Sequence, residues 1–163
     1  VFSFTSTVAK ELGASAFEIG FNTVLFTLVQ ILAAGFIGKK VLKLLNTSQA
    51  VTLGFFAMAF SCLLVAYGKN MYFLYAAQII GGVSNLMANS VLMSMIIRFV
   101  PQENQSTAMG LFQALYGIGM TLGPVMTGQI AGAAGYGTAY LVMGAMTFIA
   151  ALLAPIMLKN MNR

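Results

Sequence analysis

The chain has no histidine and no aspartate, a single cysteine, and only 7% charged residues across 163 positions. Without His and Asp, neither a Ser-His-Asp triad nor a His-bearing zinc site can be built, so no metal, cofactor or enzyme chemistry is expected. Cys62 lies in an apolar run and has no second cysteine to pair with, so the chain contains no internal disulfide. Soluble domains are about 25% charged, and the few charges here cannot cover the surface of a soluble fold. What is abundant is apolar: 60% of the residues are hydrophobic, in long runs separated by short polar turns. Lipid is the solvent this composition predicts, and the fold class is an all-α, polytopic membrane helix bundle.

Five full spans are expected, at about 16–36, 50–67, 71–99, 106–132 and 138–158. Residues 1–8 are apolar but too short to cross. They carry no basic n-region or cleavage site, so they read as the end of a preceding helix and the chain as a fragment. Ser15 and Glu18 stand at capping-box spacing before the first span. Pro101 ends the third. Gly135-Tyr136-Gly137 turns the chain between the fourth and fifth.

The net charge of +5 comes from Lys and Arg placed mainly in loops and at the C-terminus, a pattern of membrane topology and not of nucleic-acid binding. Alternating the spans puts Lys39, Lys40, Lys43, Arg98, Lys159 and Arg163 on one side and Lys10 and Lys69 on the other. The positive-inside rule makes the first side, and the C-terminus, cytoplasmic. Asn46-Thr47-Ser48 and Asn104-Gln105-Ser106 match the glycosylation sequon but fall on that side, where they are chance matches.

Amides inside a span are costly unless they pair or meet water. Asn22 and Gln30 lie in the first span, Gln78, Asn85 and Asn89 in the third, and Gln113 and Gln129 in the fourth. The second and fifth have none, which predicts three inward-facing helices and two lipid-facing ones. Gln78, Gly82, Asn85 and Asn89 form one stripe at i, i+4, i+7, i+11. Such a stripe either lines a cavity or bonds helix to helix. No carboxylate lies deep in a span, and Glu18, near an edge, reads as a cap and not as a proton carrier.

The fourth span is the most unusual. Gly117-Ile118-Gly119 lacks the strand–turn–helix setting of a dinucleotide site and reads as helix packing. On a helical wheel Gly117, Thr121, Gly128 and Gly132 gather near Gly110, with Gly119 and Gly123 opposite. Gln113, Tyr116, Met120 and Thr127 fall between, the stripe free to face a cavity, and Pro124 can kink the helix.

These residues resemble a known family. LGASAFEIG (12–20) is similar to the segment between the first two helices of a half of a major facilitator superfamily transporter. VPQENQSTAMGLFQALYGIGMTLGPVMTG (100–128) resembles the approach to helix eleven and its Gly-rich body. Gly119, Gly123 and Pro124 echo the family's GxxxGP antiporter motif, here in the second half. The loop at Gly35, Gly38, Lys39 and Lys40 sits where the family's cytoplasmic loop motif stands, but without its Asp and Arg residues, so that motif's charge relay is in doubt in this half.

The resemblance implies the C-terminal six-helix half: helices eight to twelve with the end of helix seven. Helices nine and twelve would be peripheral, in agreement with their lack of amides. The partners implied are the bilayer, a small-molecule substrate and the N-terminal six-helix half, with no nucleic acid. The function implied is secondary transport of a small organic solute by alternating access in a bacterial inner membrane, with drug or metabolite efflux favoured over sugar uptake; coupling to a proton gradient would need a carboxylate outside this chain. The cavity-lining candidates are Asn22, Gln30, Gln78, Asn85, Asn89, Gln113 and Tyr116. Gly117, Gly119, Gly123, Pro124 and Gly128 are the packing and gating candidates, and Gly35, Lys39 and Lys40 the loop residues. The alternative is a non-transporting accessory or scaffold protein that packs through its glycine faces.

Overall fold

The computed structural model describes residues 4–36 and 46–158, apart from the Phe36 side chain. Among them every regular element is helical. Helix α1 (Thr5–Glu11) is short and ends where Gly13 takes a positive φ of 79°, a conformation that only glycine adopts without strain. Helix α2 (Ala16–Phe36) follows at once, opened by the expected reciprocal cap: the Ser15 backbone N–H donates to Glu18 Oε2 at 2.8 Å, and the Glu18 N–H donates to Ser15 Oγ at 3.3 Å. Helix α3 (Thr47–Tyr67) begins three residues before the sequence-based boundary, and the Asn46 N–H donates to Gln49 Oε1 at 3.2 Å.

Helix α4 (Met71–Phe99) is capped by Asn70, whose Oδ1 accepts from the Phe73 N–H at 3.4 Å. At its far end Gln105 Nε2 donates to the carbonyls of Ile97 and Val100, at 2.9 and 3.2 Å, satisfying groups a helix end leaves bare. Pro101 and a single 3₁₀ turn (Gln102–Asn104) lead into α5 (Gln105–Leu158).

Helix α5 holds two spans. It is continuous except at Gly135, where φ 83° and ψ 161° are open only to glycine. Two contacts show that the chain doubles back there. Phe112 and Tyr116 share a cleft with Gly54 and Phe55 of α3, and Phe148 packs edge-on against Phe56 at 5.4 Å. On a straight helix residues 112 and 148 would stand about 54 Å apart, so both cannot reach one turn of α3. Residues 105–134 and 136–158 are therefore two limbs of a hairpin. Among the described residues four helices are long and apolar enough to cross a membrane, the last being this broken one, against five separate spans expected.

The packing order departs from expectation. Helix α3, which carries no amide beyond Gln49 in its first turn and is expected to face lipid, lies between α4 and the second limb of α5, with 39% of its spanning segment buried. Helix α2, which carries Asn22 and Gln30, has only 6% of its segment buried. Small residues explain this. Gly54 abuts Ser84 and Ala88, Gly144 abuts Cys62, and Gly137 abuts the Ala66 carbonyl, so backbones approach closely along α3. Ser61 Oγ donates to the Ala77 carbonyl at 2.8 Å across the α3–α4 seam. Two apolar clusters fill that interior, one around Cys62, Leu74 and Tyr140, the other around Val51, Val91 and Met95.

Candidate functional site: a neutral cleft between three helices

A cleft of about 370 Å³ opens between α3, α4 and the first limb of α5. Helix α3 supplies Gly54, Phe55 and Met58; α4 supplies Asn85, Ala88, Asn89 and Leu92; α5 supplies Phe112, Leu115 and Tyr116. The close approach of Gly54 to Ser84 and Ala88 draws α3 and α4 together at the cleft floor. One helical turn separates Asn85 from Asn89, and Asn89 Nδ2 donates to both the Asn85 side-chain and backbone oxygens at 3.1 Å. That bond fixes both amides and leaves Asn85 Nδ2 and Asn89 Oδ1 without a bond among the described residues. A donor and an acceptor are thus available side by side, each half-buried.

The opposite wall is aromatic. Phe112 and Tyr116 are also one turn apart, and their rings stack at 6.3 Å with an interplanar angle of 14°. No charged side chain lines the cleft. Among the described residues no group of three His, Cys, Asp or Glu could hold a metal ion. The chemistry available is shape, aromatic contact and neutral hydrogen bonding.

The seven expected lining residues do not converge on this cleft. Asn85, Asn89 and Tyr116 line it. Gln113, next to Phe112, is exposed and does not, and Gln30 is half-buried elsewhere on α2. Asn22 and Gln78 are fully buried at the far end of the bundle, where Gln78 Nε2 donates to Thr5 Oγ1 at 3.1 Å. The α4 stripe is therefore divided by depth. Its upper end is sealed under α1 and α2, with Gly82 pressed against the Phe26 carbonyl, and its lower end opens to the cleft.

The glycine candidates also fall out differently. A Cβ at Gly117, Gly119 or Gly123 would meet nothing within 4 Å among the described residues, so these glycines pack against no other described helix. Gly128 lies near the Phe4 ring. Pro124 sits in helical conformation, and the only non-helical residue of α5 is Gly135. Gly35 is exposed with open space around it; Gly38, Lys39 and Lys40 lie outside the described residues. Gly54, Phe55 and Met58 escape a search for amides, because the part of α3 within the expected span, 50–67, carries none. The Phe112–Tyr116 pair at i, i+4 was a legible signal that was not used.

The family model described as Major Facilitator Superfamily matches residues 1–163. Neither a curated protein nor a solved structure matches the chain.

Proposed function

The chain belongs to the Major Facilitator Superfamily, a family of membrane transporters, and on that premise we propose that it forms the C-terminal half of a carrier for a neutral, amphipathic organic solute. The observation that carries this reading is the uncharged cleft walled by the Asn85–Asn89 pair and the Phe112–Tyr116 stack. An aromatic or heteroaromatic solute could lie against the stack while one polar edge bonds the two amides. Met58 supplies an adaptable apolar contact.

Alternating access would come from rocking of this half against an N-terminal six-helix half. The broad apolar faces of α2 and the first limb of α5, including Ile31, Leu32, Leu111 and Leu115, are exposed here and suit that partner. We further propose outward transport across a bacterial inner membrane, with the C-terminus cytoplasmic as the Lys/Arg distribution favours. Proton coupling would have to draw on a carboxylate elsewhere in the protein. Glu11 and Glu103 lie in turns or at helix ends, and Glu18 is engaged by Ser15.

The test is transport by the full-length protein in proteoliposomes, with and without a proton gradient, against a panel of neutral aromatic solutes. Movement that is lost in Tyr116→Ala and weakened in apparent affinity in Asn89→Ala supports the reading. Failure to move any solute of the panel would overturn it.

A further inference from the structure

Asn22, on α2, is completely buried, and neither its Nδ2 nor its Oδ1 finds a hydrogen-bond partner among the described residues. Gln78, on α4, is also buried, and its Oε1 is unpartnered while its Nε2 is held by Thr5. The packing of their helices brings the two residues to one level. Helices α2 and α4 run parallel: the Phe21 and Tyr75 rings meet edge-on at 5.5 Å, and further along Gly82 abuts the Phe26 carbonyl. Asn22 is one turn before Phe26 and Gln78 one turn before Gly82, so both lie on the contacting stripes at one level. Helix α1 closes the same level, through the Gln78–Thr5 bond and a 3.3 Å contact between the Ser6 and Thr23 hydroxyls.

We propose that the junction of α1, α2 and α4 encloses a bound water molecule held by Asn22 and Gln78. The unpartnered atoms of these two side chains are two acceptors, Asn22 Oδ1 and Gln78 Oε1, and one donor nitrogen, Asn22 Nδ2. Water donates twice and accepts at least once, which matches this set, and buried waters typically make about three hydrogen bonds. A direct Asn22–Gln78 bond is a poorer solution. It uses Asn22 Nδ2 and Gln78 Oε1 but leaves Asn22 Oδ1 without a donor, at a cost of roughly 1–3 kcal/mol. A monovalent cation fits less well, because the junction offers a few neutral oxygens, no carboxylate, and an N–H pointing at the same space. The bridge would tie the segment before α2 to both flanking helices, so that the three move as one body. This inference is independent of the transport cleft, which lies on the other side of Gly82.

The experiment is a structure of the full-length protein at a resolution that shows ordered water, alone and as Asn22→Leu. Expected is a single peak within about 2.7–3.2 Å of the Asn22 amide and Gln78 Oε1, lost in Asn22→Leu while the Gln78–Thr5 bond remains. Should Asn22→Leu fail to fold, Asn22→Ser serves, with the peak shifted toward the hydroxyl. No peak in the unsubstituted protein, a peak ringed by five or more oxygens, or a peak that survives Asn22→Leu unchanged would each overturn the proposal.

Discussion

Individual side chains in this molecule divide by whether they touch a neighbour. Gly82 does: a Cβ there would lie 2.9 Å from the Phe26 carbonyl oxygen, a backbone atom that cannot swing away. Gly82→Ala must push α2 off α4, and overpacking of this kind costs about 1–3 kcal/mol. A melting temperature lowered by several degrees in the purified full-length protein is the expected result; an unchanged value would mean that the two helices are not in close contact. Gly110→Ala is the internal control, since it has open space and helical geometry and should be neutral or slightly stabilising. In the cleft, Asn89→Ala removes an amide that bonds only within its own helix. Its expected effect is on solute handling, about tenfold in apparent affinity if one hydrogen bond of roughly 1.4 kcal/mol is lost. The melting temperature should stay within a degree or two. A large fall in stability would instead identify the Asn pair as structural.

Helices are the scale at which the sequence was most legible and also where it misled. The boundaries of α2 and α4, the Ser15–Glu18 cap and the stop at Pro101 follow from local rules: capping geometry, proline chemistry and run length. Burial order does not follow from such rules. Counting amides ranked α3 as peripheral, yet among the described residues Gly54, Ser61 and Cys62 pack it as fully as α4, because within an apolar medium close backbone approach decides association. The same error hid the α3 wall of the cleft. The α4 stripe was legible as a stripe, but its division into a sealed end and an open end depends on where α1 and α2 cross it, which spacing along α4 cannot show.

Gly135 is the element-scale prediction. Its φ and ψ lie in a region reached essentially by glycine alone, so Gly135→Ala should cost about 1–3 kcal/mol and loosen the α5 hairpin. Protease sensitivity at residues 133–138 in the full-length protein should rise. Resistance equal to the unsubstituted protein would mean that the turn is made elsewhere.

The whole molecule presents two kinds of apolar surface, and their difference is testable. On the first limb of α5 the exposed Leu115 lines the cleft with Asn85, Asn89 and Tyr116, and the open glycines 117, 119 and 123 lie on the same limb. On the second limb, Ile149, Ile156 and Met157 are exposed and line no part of that cleft. Glycines that meet nothing among the described residues yet lie on a cleft-bearing helix suit a partner that arrives from outside the chain, the proposed N-terminal half. If that half covers the first surface, Leu115 should change surroundings during transport while Ile156 stays in lipid. Spin labels at Leu115→Cys and Ile156→Cys, in the full-length protein with other exposed cysteines removed, distinguish the two. The label at 115 should gain access to a water-soluble relaxing agent when the carrier opens toward one side and lose it when it opens toward the other. The label at 156 should respond to oxygen alone in both states. Gly119→Leu places a bulky side chain on the first surface and should block this change at 115 while leaving the melting of this half intact, because its Cβ meets no atom of the described residues. If the label at 115 behaves like the label at 156 throughout, that face is a lipid surface and the rocking arrangement fails.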